Sequence, residues 1–262
     1  MNELPTIAFV LILASGAIQA PFLFRKDGKN DPLSHWALLA AFLSLAAVTV
    51  YRSLAIGFPA LTGTFEALVF LSAFICLVAW GYRMQGRIAF LPLVQFGATI
   101  VAAAFLAVAS SPIAPKELLA PIPALRSGWL VLHVSLSFIG ESLFVASFAA
   151  SIAFLATKDE KKKRDYDRVA YTSIAAGYPV FTAGALVFGA IWAEQAWGSW
   201  WSWDPKEIWA LVTWLTYTAY LHVRLVRKRK DALPSIIAVI GFLCAVFTFF
   251  GVNFLLTGLH SY

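Results

Sequence analysis

Four of the ten tryptophans in this 262-residue chain fall within seven residues, at Trp197, Trp200, Trp201 and Trp203. Asp204, Pro205, Lys206 and Glu207 follow directly, and the four histidines stand at His35, His133, His222 and His260. These are the side chains with chemistry to offer. An indole gives a flat apolar face with one N–H donor at its edge. An imidazole can carry a proton near neutral pH or hold a metal ion. The tryptophan spacing fits neither a 3.6-residue nor a two-residue period, so the cluster is predicted to be an irregular connection. Asp204 has the spacing of a helix N-cap, with Pro205 at the first helical position and Glu207 three residues after the cap. The positive end of that helix then points at the tryptophans. For a single tryptophan, an interfacial aromatic belt explains as much. A belt does not require four in one connection, and a platform for a large, planar, amphiphilic ligand does.

The elements that must position these residues are set by composition. Hydrophobic residues make up 60% of the chain, charged residues 13%, and the mean hydropathy is +0.77. That is an all-α, polytopic membrane bundle and excludes a soluble enzyme domain. Eight spans are expected, at about 5–24, 34–56, 64–82, 88–109, 127–157, 170–195, 205–226 and 233–256, each near the ~20 residues needed to cross hydrocarbon. Residues 1–126 are read as an N-terminal set of four spans and 127–262 as a core of four more. If the loops after spans one, three, five and seven share a side, that side holds sixteen of the twenty lysines and arginines. The other side keeps Arg52, Lys116, Arg126 and Lys206. The bias puts both termini and the tryptophan loop outside the cytoplasm. The net charge of +6 comes from short basic loops and does not point to nucleic acid. The run from Lys158 to Arg164 reads as a solvated loop able to touch anionic lipid. Cys76 and Cys244 lie mid-span without a Cys-x-x-Cys, so neither a disulfide framework nor thiol redox is expected. The first span lacks a basic leader and reads as a retained helix rather than a signal peptide.

This topology sorts the histidines. His133, early in span five, and His260, just past span eight, share the outer level with the tryptophan loop. His222 is 17 residues beyond Pro205, roughly 26 Å along a helix, so it belongs to the opposite level, together with His35. Imidazole is a natural axial ligand for haem iron, and indoles suit a porphyrin face. His133, His260 and the aromatic platform could therefore form a bis-imidazole haem site open to the outer face. The alternative for each histidine is an interfacial imidazole with a satisfied hydrogen bond. Glu141, eight residues after His133 and inside span five, is a functional candidate by its depth, or simply a hydrogen-bond partner of Ser137 or of a neighbouring helix. Glu194 could orient a tryptophan N–H or a histidine. Arg52, Lys206 and above all Arg126 are the external cations available to carboxylates of a ligand.

The segment from Trp197 to Glu207 resembles the WWD signature of the haem-handling proteins of cytochrome c biogenesis. Its continuation through Trp214 is most similar to the CcsA (ResC) branch of System II. Leu132-His133-Val134, Tyr220-Leu221-His222 and the closing Asn253 to Tyr262 agree, and Pro59 and Gly63 to Glu66 agree more weakly. The resemblance implies that His133 and His260 ligate an outer haem b, held by the face of the loop Trp197, Trp200, Trp201, Trp203 and Asp204. It implies that His222 is one ligand of an inner haem, shared with a histidine of a separate CcsB (ResB) membrane protein. His35 could complete that inner site within this chain. Apocytochrome c would present its Cys-x-x-Cys-His thiols to the haem vinyl groups, kept reduced with a thioredoxin-like partner. The implied location is a bacterial cytoplasmic or thylakoid membrane with the site on the extracytoplasmic side. Two alternatives stay open: a HemX-type haem-binding regulator, and a transporter whose Glu141 and histidines carry protons.

Overall fold

The computed structural model describes residues 3–24, 31–85, 91–256 and 258. Among these residues all regular structure is helical. The chain divides into two compact units, Met1–Arg126 and Ser127–Tyr262.

In unit 1, α1 (Leu4–Leu23), α2 (Ser34–Ile56), α3 (Thr64–Met84) and α4 (Pro92–Ser110) form a closed ring in which α1 packs on α2 and α4, and α3 on α2 and α4. Apolar side chains face outward, among them Val10, Leu13, Leu43, Val50 and Leu54, as expected where lipid is the solvent. The interior is partly polar. Gln19 donates to the hydroxyls of Ser15 (2.8 Å) and Thr99 (3.1 Å), and Gln95 donates to Ser34 Oγ (3.0 Å). Arg83 pairs with Asp31 at 3.0 Å, and Arg52 pairs with Glu66 at 2.5 Å. A short 3-10 turn, Pro123–Leu125, closes the unit.

Unit 2 contains α5 (Gly128–Ala156), α6 (Glu160–Phe181), α7 (Gly189–Trp197), α8 (Pro205–Leu221), α9 (Ala232–Val246) and α10 (Val252–Leu255). Three π-helical turns interrupt them: Thr182–Phe188 joins α6 to α7, His222–Val226 extends α8, and Phe247–Gly251 joins α9 to α10. Such turns leave backbone carbonyls off the regular ladder and recur at functional sites. Pro179 inside α6 removes one N–H donor just before the first of them. The core is Phe144, Ile174, Phe181, Tyr217, Tyr220 and Ala238, with Phe144 stacked on Tyr217 at 3.8 Å.

Among the described residues seven helices are long and apolar enough to cross a membrane, and the protein is a polytopic membrane bundle. The eighth expected span, 205–226, forms one helical rod but is not among the seven. Its buried stripe carries Thr213, Tyr217 and Tyr220, with Lys206 and Arg224 at its ends. The sixth span corrects the expectation at its start. Helix α6 begins at Glu160, not near 170, because Asp159 caps it by accepting from the N–H groups of Lys161 (2.9 Å) and Lys162 (3.2 Å). The charged run 160–164, read as a loop, is thus the solvated first turn of a helix, reinforced by a Lys163–Glu160 pair at 2.8 Å.

Candidate functional site

The site is built on the Ser127 end of α5. Ser127 caps the helix by accepting from Trp129 N–H at 3.2 Å, and its hydroxyl donates to Gln195 Oε1 of α7 at 2.5 Å. His133 lies on the second turn, its Nδ1 2.9 Å from the carbonyl oxygen of Gly184 in the π turn. A carbonyl only accepts, so Nδ1 carries the proton and the lone pair is on Nε2, the tautomer a metal-binding imidazole needs. Glycine is required at 184 because a Cβ there would fall 2.7 Å from the Leu136 carbonyl carbon and 2.8 Å from Leu136 Cβ. The π turn and the bare glycine together bring the acceptor to the imidazole.

The His133 ring is stacked on Trp192 with centroids 6.0 Å apart and planes 8° from parallel. Trp192 is 1% exposed and meets Trp197 edge-on at 5.7 Å and 74°. An unbroken aromatic path therefore runs from His133 through Trp192 to the first tryptophan of the loop. Beyond Trp197 the chain turns through Gly198 and leaves regular structure until Pro205. Trp203 has φ +60°, a left-handed conformation that costs a bulky residue energy. Trp203 and Trp200 are 68% and 59% exposed, while the Nε1 atoms of Trp197 and Trp201 are buried with no hydrogen-bond partner among the described residues. The loop thus offers two open indole faces and two enclosed N–H donors.

Asp204 fixes where the loop ends. It is buried and accepts from Lys206 N–H at 3.0 Å, while Glu207 Oε2 accepts from the N–H groups of Ser202 (2.8 Å) and Asp204 (3.3 Å). This is a reciprocal capping box, extended two residues further into the loop. Asp204 therefore holds the loop's exit and is not aimed outward.

The remaining residues singled out in the sequence are dispersed. His260 lies outside the described residues. His222 opens the π turn at the far end of α8 and is exposed on the surface of unit 2. His35 is in unit 1, buried beside Trp36 at 4.9 Å, with its Nδ1 unpartnered among the described residues. Arg126 is exposed; its backbone N–H donates to the Pro123 carbonyl at 3.1 Å, and its side chain makes no hydrogen bond or ion pair among the described residues. Arg52 is enclosed: Nε and Nη2 bind Glu66, and Nη1 and Nη2 bind the carbonyls of Lys116 and Glu117. Lys206 donates to Asn253 Oδ1 at 2.9 Å. Glu141 is not bonded to Ser137, whose hydroxyl donates to His133 O at 2.6 Å, and Glu194 orients no tryptophan N–H among the described residues. Gly184, Trp192 and Gln195 were not singled out, although each holds part of the site. Trp192 carried a faint signal, five residues before the cluster on the same rod. Gly184 and Gln195 carried none.

The chain matches the family model described as Cytochrome C assembly protein over residues 63–260. It is 36% identical over 304 residues to a cytochrome c biogenesis protein CcsA of Prochlorococcus marinus, covering 99% of this chain and 92% of that one. It is 45% identical over 150 residues to the CcsA of Chlamydomonas reinhardtii, covering 54% of this chain and 42% of that protein. Among solved structures it is similar to cytochrome c heme lyase CcmF, with a TM-score of 0.68 and 20% identity over 95% of this chain. It spans 46% of the CcmF chain, and at that identity the likeness shows the fold.

Proposed function

This chain belongs to the CcsA family of cytochrome c assembly proteins, and from that premise we propose that it is the haem-presenting subunit of a cytochrome c synthase. The observation that carries the reading is the His133 geometry. A carbonyl acceptor on Nδ1 leaves Nε2 with the lone pair, and the ring is braced by a buried indole that meets the first tryptophan of the loop, in which Trp200 and Trp203 are exposed. These residues fit haem b as a substrate. His133 Nε2 would hold the iron on one side and His260 on the other. The faces of Trp200 and Trp203 would cover the macrocycle, and the N–H groups of Trp197 and Trp201 would meet acceptor atoms at its edge. The bias of basic residues supports an extracytoplasmic position for the loop and both termini, in a bacterial cytoplasmic or thylakoid membrane.

The reaction this arrangement serves is addition of an apocytochrome thiol across a haem vinyl group. A C–S bond forms, the thiol hydrogen goes to the terminal vinyl carbon, and no electron is gained or lost. No acid–base pair is required of this chain, whose contribution is to fix the acceptor in one orientation. The exposed position of His222 suits a second, inner site completed by a histidine from a CcsB-like membrane protein. A thioredoxin-like protein would keep the apocytochrome thiols reduced.

The test is an absorption spectrum of the reduced, purified protein, with and without a co-expressed CcsB-like chain, beside His133→Ala and His260→Ala. The expected result is a low-spin bis-histidine signal that falls in both variants and returns with added imidazole. A protein that carries no haem in either preparation overturns the proposal.

A further inference from the structure

The first two turns of α8 touch the C-terminal segment at three successive places. Trp209 packs against Phe247 with centroids 4.2 Å apart. Lys206 Nζ donates to Asn253 Oδ1 at 2.9 Å and lies 5.9 Å from the centre of the Phe249 ring. Gly258 lies against the Asp204 carboxylate and Pro205, so close that a Cβ would be 3.0 Å from Pro205 Cδ. As residue numbers fall from 209 to 204 on one side, they rise from 247 to 258 on the other. The two segments are therefore laid antiparallel and joined at both ends and the middle.

The middle contact has the most specific chemistry. A lysine at a membrane helix end usually extends its ammonium toward water. Lys206 instead turns its ammonium to a side-chain amide and an aromatic face. A charge held among helices keeps such partners only in a defined geometry, because every lost contact leaves it poorly solvated. The Gly258 contact adds a steric condition, since any side chain there must displace an aspartate already fixed in its capping box.

We propose that Lys206, Asn253 and Gly258 form a latch that seats the C-terminal segment against the tryptophan loop. Lys206 is thereby a positioning residue, not a ligand for substrate carboxylates. His260 stands two residues beyond Gly258 in sequence, so the point from which it departs is set by the latch. The positioning role rests on the reading of His260 as a haem ligand. The latch itself does not.

The experiment uses the full chain with its CcsB-like partner, as wild type, Lys206→Met, Asn253→Leu, Gly258→Val and Lys206→Arg. Two quantities are read: amide hydrogen exchange over residues 252–258 and the reduced absorption spectrum. Lys206→Met and Asn253→Leu each remove a hydrogen bond to a charged group, so exchange at 252–258 should quicken roughly tenfold while α5 stays protected. The low-spin signal should fall with it and return with imidazole, and Lys206→Arg should retain both. Gly258→Val should act in the same way through the steric contact. Unchanged exchange in Lys206→Met and Asn253→Leu overturns the latch. Faster exchange with a wild-type spectrum overturns the positioning role. Faster exchange in a protein that never shows a haem signal leaves the latch standing and rejects the haem reading instead.

Discussion

Arg52 of unit 1 and His133 of unit 2 are both polar side chains inside apolar helices, and their surroundings differ in kind. The Arg52 guanidinium binds Glu66 and two backbone carbonyls, and the pair is almost closed to solvent. Asp31 and Arg83 do the same at another corner of unit 1, where Asp31 also accepts from the Ser34 N–H at 2.6 Å. No π turn occurs among the described helices of unit 1. In unit 2 the helices are broken by three π turns, one of which aims a carbonyl at His133. Its ring contacts run from His133 through Trp192 to Trp197, at the start of a loop in which Trp200 and Trp203 are exposed. Enclosed ion pairs occur in both units, since Arg224 and Asp167 pair at 2.6 Å inside unit 2, but among the described residues the π turns and the acceptor they aim at an imidazole belong to unit 2. Irregular backbone is costly in a membrane, so its concentration in one unit marks where function displaced regularity.

The comparison is broken or sharpened first by exchanging the roles of its two central residues. Arg52→Ala leaves Glu66 buried without its partner, at about 3–5 kcal/mol. Little folded protein should accumulate, while haem per folded molecule stays at the wild-type level. His133→Ala should accumulate normally and retain roughly tenfold less haem. If Arg52→Ala folds well and loses haem, unit 1 is not merely a scaffold.

A smaller effect is expected from adding a methyl or more to glycines of the two units. Gly184→Val must push back the Leu136 backbone, costing about 1–3 kcal/mol and displacing the acceptor of His133. Thermal unfolding should shift down and the spectrum weaken together. In unit 1 a Cβ at Gly16 would sit 3.7 Å from Thr99 Cγ2, an ordinary contact. Gly16→Ala should therefore be neutral or stabilise by up to ~1 kcal/mol.

Loss of a helix cap comes next. Asp204→Ala should cost about 1 kcal/mol and free the loop's exit, seen as faster amide exchange at Ser202 and Lys206. Asp204→Asn, which can still accept, should retain most of the protection.

The smallest expected effect is a pH dependence in unit 1. Burial pushes the Asp31 carboxyl up, but the Ser34 hydroxyl and N–H and the Arg83 guanidinium outweigh it and hold the group below its ordinary 3.8. A carboxylate lowered on folding adds stability that is fully present above its unfolded value and is lost as pH falls through the folded one. Thermal stability of wild type should therefore drop below about pH 4. Asp31→Asn should flatten that part of the curve. An unchanged curve would show that Asp31 is not coupled to folding.

Much of this was legible in the chain because it is local. Asp204, Pro205 and Glu207 announce the start of α8 through neighbours three residues apart, and the capping box forms as their spacing implies. The same rule was there to be applied at Asp159, where four consecutive cations hid a helix start behind the look of a loop. The cations read as external could not be told apart in sequence. Arg52, Arg126 and Lys206 are equally charged, yet the first is locked to Glu66, the second is exposed, and the third donates to Asn253.

The amino-acid sequence alone determined the membrane class, the helical rods and the family, because hydropathy, caps and a tryptophan signature are properties of short stretches. Only the tertiary structure decided which nitrogen of His133 carries a proton, that Trp192 braces it, and that Lys206 turns inward. Those depend on side chains far apart in sequence, as His133 and Gly184 are by 51 residues. A contact across that distance has no local signature, because packing and not spacing brings the two groups together.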